Sequence, residues 1–190
     1  MVAAMADRPI LIVSGTNRPN SNAMRVANVL SGHYRALGAA HEIFSVGEMP
    51  REVFDGAAYA NKPPGMVAIQ NRVLEAIGLH IVTPEYNGSF PGVLKYFIDM
   101  LKFPESFEHK PVAFVGEAAG AWGGLRAVEQ LQQIFSYRNA HILPDRVFIP
   151  GVVSKFNDAG KLTDAAIDDR LAKQAERFAL FAARIRAHHS

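Results

Sequence analysis

The sequence lacks cysteine and offers little support for a side-chain nucleophile or a metal site. Without cysteine, disulfides, thiolate–metal sites and cysteine nucleophiles are excluded. A secreted disulfide scaffold is not indicated, so we expect a cytoplasmic protein. The seven histidines are scattered without metal-ligand spacing, and we therefore predict no metal site. A Gly-x-Ser-x-Gly motif is also missing, which leaves a serine hydrolase without support.

Long apolar runs and clusters of one charge are missing as well. No apolar run approaches the roughly 20 residues that cross a bilayer, so we expect no membrane span. The net charge is only +2 and the basic residues are dispersed, so we predict no nucleic-acid partner. With 190 residues of which 49% are hydrophobic, the chain is long enough to bury a full core. We expect a single domain over residues 1–190.

Short apolar runs alternate with segments of helical periodicity along the chain. Strong strand signals lie at residues 10–13, 79–82 and 112–115, and weaker ones at 42–46, 141–143 and 147–149. Continuous apolar runs of this length are typical of strands that are buried on both faces. Residues 47–65 are rich in Pro and Gly and are predicted to form a surface loop. The pattern predicts an α/β fold, a doubly wound five-stranded parallel sheet with helices on both faces.

Two loops that follow predicted strands carry unusual polar residues. In the loop 14–22, Arg18 supplies a planar cation, and the following helix adds N–H groups and the positive end of its dipole. This combination suits a phosphate, although an ordinary helix N-cap at Ser21 or Asn22 has the same features. The loop 83–89 exposes polar and aromatic groups suited to a flat ligand, or it is a plain Asn-Gly turn.

A third loop, residues 117–124, combines three glycines with the only tryptophan, Trp122. Glycines let the backbone approach a ligand without a Cβ clash. A tight turn with Trp122 at a protein surface or interface is the alternative. The role of Glu85 in the second loop stays open between a catalytic acid, a helix-cap partner and a solvated surface charge, and we favour a structural or subunit contact.

Taken together, these loops resemble the NADPH-dependent FMN reductase family, the flavodoxin-like group that includes quinone, azo-dye and chromate reductases. Residues 83–92 read Thr-Pro-Glu-Tyr-Asn-Gly-Ser-Phe-Pro-Gly, which carries the family's Thr-Pro-Glu-Tyr-Asn-Gly motif. The family's Gly-Ser-x-Arg-x-x-Ser phosphate loop appears at residues 15–21, where Thr16 replaces Ser and keeps the hydroxyl. The family's Gly-Gly before a Leu-Arg-Ala helix start appears at residues 123–127. Glu117 and Trp122 depart from a region where small residues are common.

The resemblance implies a flavin site and an oligomer. It places Thr16, Arg18, Ser21 and Asn22 at the FMN phosphate. It implies that a second set borders the isoalloxazine: Pro84, Glu85, Tyr86, Asn87, Gly88, Gly120, Gly123 and Gly124. Trp122 would shape the acceptor pocket, and no side chain is implied as a catalytic group, since the flavin carries the chemistry. A homodimer or homotetramer is also implied, with Trp122 and residues 47–65 as interface candidates.

On this interpretation the chain is an oxidoreductase. It passes hydride from NADPH or NADH through bound FMN to a small acceptor such as a quinone, an azo compound or a free flavin. The alternative is a flavodoxin-type electron carrier that binds FMN without nicotinamide turnover. Such carriers tend to be acidic, whereas this chain has a net charge of +2. A non-enzymatic binding module is a third hypothesis.

Overall fold

The computed structural model describes residues 8–189 as an alternation of strands and helices. The described strands are β1 (Ile10–Ser14), β2 (His41–Ser45), β3 (Gly78–Pro84), β4 (Pro111–Ala118) and β5 (His141–Pro150). The described α-helices are α1 (Asn22–Ala36), α2 (Pro64–Glu75), α3 (Gly92–Met100), α4 (Leu125–Tyr137) and α5 (Ala165–His189). No helix among residues 8–189 is long and apolar enough to cross a membrane.

All neighbouring strands of the sheet are parallel, in the order β2-β1-β3-β4-β5. This is the strand order of the flavodoxin-like doubly wound architecture, in which the order reverses next to the first strand. The predicted fold is therefore confirmed. In such a sheet the carboxyl ends of the strands meet at one edge, and ligands bind in the crevice outside that edge.

Alternate residues of each strand pack on opposite faces of the sheet. Ile12 of β1 belongs to a core shared with α1 and α5. Its neighbour Leu11 belongs to a second core, built with α2, α3 and α4. Both side chains are fully buried, which explains why β1 is a continuous apolar run rather than an alternating one.

The prediction of a surface loop at residues 47–65 was wrong in part. Three short 3₁₀ helices occupy much of this segment, at Val46–Glu48, Arg51–Phe54 and Gly56–Tyr59. They form because Val53 is fully buried and because the Asp55 side chain accepts a hydrogen bond from the Ala57 backbone N–H at 2.9 Å. Local caps and contacts leave no periodic pattern in the sequence. A segment rich in Pro and Gly is therefore predicted as a loop even where it contains 3₁₀ helices.

The predicted pair of short strands near residues 141–149 is one strand, β5. Its pairing with β4 shifts register between Val112 and Phe114, which pair with Ile142 and Arg146 respectively. Pro144 lies in this interruption at the edge of the sheet. Proline has no N–H to donate to a ladder, and an irregular edge position is where a strand tolerates it.

One polar network crosses the core between α1, β3 and α5. The Tyr34 hydroxyl and His80 Nδ1 are hydrogen-bonded at 2.7 Å, and His80 Nε2 pairs with Gln174 Oε1 at 3.1 Å. The Gln174 amide donates in turn to the backbone oxygens of Phe114 and Asp145 at 3.0 and 2.9 Å. Burial lowers the pKa of His80 to about 4. His80 is therefore a hydrogen-bonded core histidine rather than a base.

Candidate active site

The three unusual loops meet in one groove at the carboxyl edge of the sheet. The groove has an open volume of about 410 Å³. Each of the three loops contributes to its walls, and Val152 and Val153 from a 3₁₀ helix after β5 complete them. Six residues singled out from the sequence line the groove: Arg18, Ser21, Asn22, Pro84, Glu85 and Tyr86.

The N-terminus of α1 forms one end of this groove. Ser21 has extended backbone and is the N-cap, with its hydroxyl accepting a hydrogen bond from the Met24 N–H at 3.1 Å. The first turn of α1 contains no acidic residue. The positive end of the helix dipole is therefore not neutralised from within the helix, and this end of the groove favours an anion.

Thr16 joins the first loop to the second. Its hydroxyl is hydrogen-bonded to the Tyr86 hydroxyl at 3.0 Å and accepts from the Arg18 backbone N–H at 3.3 Å. Thr16 is almost fully buried, so the structure places it behind the groove rather than among the lining residues. The exposed Arg18 guanidinium lies 4.9 Å from the centroid of the Tyr86 ring.

The second loop turns tightly at Asn87 and Gly88. Tyr86 and Ser89 exchange backbone hydrogen bonds of 2.7 and 3.1 Å across the turn. Asn87 and Gly88 have φ values of 53° and 77°. Asn and Gly are the residues that adopt this left-handed region most readily. The Asn-Gly turn predicted from the sequence is present, and it aims the Tyr86 side chain toward Thr16.

Helix α4 holds the second loop in place through two residues that the sequence analysis missed. Gln130 accepts a hydrogen bond from the Ser89 hydroxyl at 2.6 Å and donates to the Gly88 carbonyl at 3.3 Å. Arg126 pairs with Glu85, with 2.7 Å between Nη1 and Oε1. The spacing of four residues puts Arg126 and Gln130 on one face of a helix, which is a signal that the sequence did contain.

The third loop packs its paired glycines against the sheet. A Cβ on Gly124, where φ is 88°, would lie 2.5 Å from the Glu117 backbone nitrogen, and one on Gly123 would lie 2.7 Å from the Pro150 nitrogen. Close packing of the loop on β4 and β5 therefore accounts for both glycines. Gly120 is exposed, with open space around a Cβ, and the Trp122 side chain is 61% exposed.

Two carboxyl groups are buried at the groove. Glu117, at the end of β4, is only 5% exposed, and burial raises its pKa to about 7, partly offset by an interaction with the Ala23 backbone N–H. The Glu85 side chain is 10% exposed. Its Oε1 forms the ion pair with Arg126. Its Oε2 is buried and has no hydrogen-bond partner in the described part of the chain.

Ser14 Oγ, at the end of β1, is another buried polar atom that lacks a partner within residues 8–189. A buried polar atom without a hydrogen bond costs free energy, and both Ser14 and Glu85 stand at the carboxyl edge. Added to Arg18 and the N-terminal end of α1, they make a donor and acceptor set that fits a phosphorylated ligand with a polar ring.

Comparison with known proteins shows the family to which the chain belongs. Residues 9–153 match the sequence family described as NADPH-dependent FMN reductase. The chain belongs to this family. It is therefore an oxidoreductase that depends on FMN and NAD(P)H.

Individual relatives agree with this assignment. The chain is 29% identical to the quinone reductase of Escherichia coli K12 over 181 residues, which is 93% of this chain and 96% of that protein. It is 29% identical over 175 residues to the CrdA subunit of the NADH:(hydroxy)cinnamate reductase of Vibrio ruber, covering 90% and 84%. Among solved structures, FerB of Paracoccus denitrificans, a flavoenzyme NAD(P)H:(acceptor) oxidoreductase, superposes with a TM-score of 0.78 at 20% identity, covering 93% and 98%. At this identity, the similarity to FerB shows a shared fold.

Within residues 8–189, no group of three or more His, Asp and Glu side chains could hold a metal ion.

Proposed function

We propose that the groove between the three loops binds FMN, with the phosphate at the N-terminus of α1 and the isoalloxazine along residues 84–88. One observation carries this assignment. The loop with the anion-binding features and the loop with the planar aromatic and backbone groups share a groove, and the bond between Thr16 and Tyr86 joins them. A ligand with a phosphate at one end and a flat ring at the other suits this arrangement.

At the phosphate end, Arg18, Ser21 and Asn22 are the proposed donors. Arg18 is exposed and free to turn toward the groove, and a guanidinium binds phosphate oxygens through short charge-assisted hydrogen bonds. Thr16 supports this end from behind, because its hydroxyl accepts the Arg18 backbone N–H. The proposed role of Thr16 is thus to shape the loop.

At the ring end, we propose that Pro84, Glu85 and Tyr86 border the isoalloxazine, with the turn at Asn87 and Gly88 beside them. Gln130 and Arg126 hold this loop from α4, so the backbone groups of residues 84–88 are ordered before a ligand arrives. Gly120, Gly123 and Gly124 are proposed to border the flavin from the third loop, where Gly123 and Gly124 keep the backbone close to β4 and β5.

When bound, FMN supplies the two-electron transfer between the nicotinamide and the acceptor. The chain holds and orients the cofactor. Val152 and Val153 line the groove next to the third loop. Trp122 is exposed on that loop. We propose that an apolar, planar acceptor of the quinone type contacts this part of the surface, as the similarity to a quinone reductase suggests.

We further propose that the protein is a homodimer or a homotetramer and acts in the cytoplasm. Large aromatic side chains are exposed on several parts of the surface, at Trp122 and, within the segment 47–65, at Phe54 and Tyr59. Exposed apolar groups of this size are typical of surfaces that contact another protein. Sedimentation of the purified protein over a range of concentrations tests the oligomeric state.

The function itself is tested by adding NADPH anaerobically to FMN-loaded protein and following the visible absorption of the oxidised flavin. We expect rapid bleaching, and recovery of the absorption when a quinone is added. If the protein holds FMN but neither NADPH nor NADH bleaches it, the electron carrier becomes the better explanation. Protein that cannot be loaded with FMN would instead support a binding module without this cofactor.

The acceptor pocket is tested separately with Trp122→Ala. Removing the large exposed indole should change the ratio of kcat/KM between small and large quinones more than it changes the Kd for FMN. Tyr137→Ala is the matched control, because Tyr137 is also exposed, at 78%, but lies on α4 away from the groove lining. Equal kinetics of wild type and Trp122→Ala across quinones of different size would remove Trp122 from the pocket.

A further inference from the structure

Glu117 is an acidic residue in the part of the groove where the FMN phosphate is proposed to bind. It lies one residue before the end of β4, is only 5% exposed, and lines the same groove as Arg18, Ser21 and Asn22.

The Glu117 carboxyl and the Ser21 hydroxyl both lie at the N-terminal end of α1. The Ser21 hydroxyl accepts the Met24 N–H, and the Glu117 carboxyl interacts with the Ala23 N–H. These are two of the backbone donors that a helix N-terminus offers to an external anion. The chain therefore carries its own anionic group at the place where a phosphate of the ligand would be stabilised.

The groups around Glu117 do not neutralise it. From the first loop, Arg18 is the nearest cation of the groove lining, and its guanidinium lies over the Tyr86 ring. From the second loop, Glu85 adds another acid, which Arg126 of α4 already pairs. On α1 itself, Arg25 lies 5.8 Å from the centroid of the Phe156 ring instead. The lining after β5 is apolar, with Val152 and Val153.

We propose that Glu117 shares the N-terminal end of α1 with the FMN phosphate, so that FMN is held tightly only while the Glu117 carboxyl is protonated. This inference rests on the proposed position of FMN in the groove. A protonated carboxyl donates a hydrogen bond and carries no charge, whereas a carboxylate repels a phosphate monoester and competes with it for the same N–H groups.

The direction of the pH dependence follows from binding linkage. Without ligand, the pKa of Glu117 is raised to about 7, chiefly by burial, and a phosphate beside it raises the pKa further. The carboxyl is then protonated in the complex at a pH where it is ionised in the free protein. FMN binding takes up a proton above neutral pH, and the affinity falls as the pH rises through this range.

The test is the Kd for FMN, measured by flavin fluorescence in wild type and in Glu117→Gln at about pH 6 and about pH 8.5. The ratio of the Kd at high pH to that at low pH should be about ten-fold greater in wild type than in the variant. The FMN phosphate itself ionises near pH 6, but this contribution is the same in both proteins and cancels in the comparison. Glu129→Gln, which removes an exposed carboxyl of α4 outside the groove lining, should keep the wild-type ratio.

Riboflavin, which lacks the phosphate, is the matched ligand, and its Kd should show no difference in pH dependence between wild type and Glu117→Gln. An equal pH ratio for FMN in the two proteins would overturn the inference while leaving the flavin site intact. A Glu117-dependent ratio for riboflavin as large as that for FMN would also overturn it. Failure of wild type to bind FMN at either pH would overturn the proposed site itself. If Glu117→Gln does not fold, Glu117→Ser is measured with the same expectations.

Discussion

The fold contains two buried polar clusters, and they differ in how completely their hydrogen bonds are made. In the core, both nitrogens of His80 have partners, and Gln174 continues the network to the backbone. At the groove, Glu85 Oε2 has no partner within residues 8–189 and Glu117 is a buried acid; Ser14 Oγ, at the end of β1, also lacks a partner in this range. Ser106 Oγ also lacks a partner in this range but lies away from the groove, before β4.

This difference separates structural polar groups from functional ones. A buried polar group stabilises the fold only when its hydrogen bonds are made, because it loses its bonds to water on burial. The core network meets that condition without a ligand. At the groove, Glu85 Oε2 has no partner within residues 8–189, and burial raises the pKa of Glu117. Perturbed titration in a cleft is a recurrent property of binding and catalytic sites.

The largest effect on stability should come from breaking the core network. Gln174→Leu removes the partner of His80 Nε2 and the amide that donates to two backbone oxygens, and we expect the free energy of unfolding to fall by about 3 kcal/mol. Urea denaturation measures this loss, and the Kd for FMN of the folded variant should stay unchanged. Gln133→Leu on the exposed side of α4 is the control, expected within about 0.5 kcal/mol of wild type. A loss below about 1 kcal/mol for Gln174→Leu would contradict the structural role of the network.

A substitution in the groove should instead weaken FMN binding and leave the stability of the fold unchanged. Arg18→Ala should weaken FMN binding by roughly 1.5–3 kcal/mol through the loss of a charge-assisted bond to the phosphate. The midpoint of urea unfolding without FMN should not move. Arg35→Ala removes the same charge from the last turn of α1 and should leave the Kd unchanged. Equal Kd values for Arg18→Ala and wild type would remove Arg18 from the site.

Lowering the pH should reduce the free energy of unfolding through the buried His80. Its pKa is about 4 in the folded protein, against the ordinary value of 6.5. Between about pH 6.5 and about pH 4, His80 is therefore mostly protonated in the unfolded chain and mostly neutral in the folded chain. Stability is lost as the pH falls through this window, by about 2 kcal/mol between about pH 7 and about pH 5. His80→Gln should lose less over the same interval, and an equal loss in both proteins would assign the effect to other groups.

The smallest effect is expected at the ion pair that borders the groove. Arg126 is half exposed, and ion pairs of this kind contribute at most about 1 kcal/mol. Arg126→Ala should therefore lower the free energy of unfolding by about 0.5 kcal/mol. Lys95→Ala, which breaks the exposed pair with Asp99, is the comparison. A loss of several kcal/mol at Arg126 would mean that the groove cluster stabilises the fold as the core network does.

Strand and helix positions followed closely from the sequence, because burial on both faces leaves continuous apolar runs and amphipathic helices leave a period near 3.6. The strand β1 was predicted to start at residue 10, and the family's Leu-Arg-Ala motif placed the start of α4 at residue 125, as observed. The short 3₁₀ helices at residues 46–59 were missed, and the single strand β5 was predicted as two short strands. Both depend on local caps and on pairing with a neighbouring strand, which leave no periodic trace.

The amino-acid sequence by itself determined the doubly wound fold, the family, and the three loops from which the groove is built, because hydrophobic periodicity and short loop motifs are local properties of the chain. Only the tertiary structure decided which loop residues line the groove and which support it. Thr16 is buried behind Tyr86, Gly123 and Gly124 pack on the strands, and Gln130 reaches the second loop from α4. It also decided that Glu117 meets the first turn of α1, more than 90 residues earlier in the chain. Contacts between residues so distant in sequence arise from the packing of the sheet and helices, and no local pattern records them.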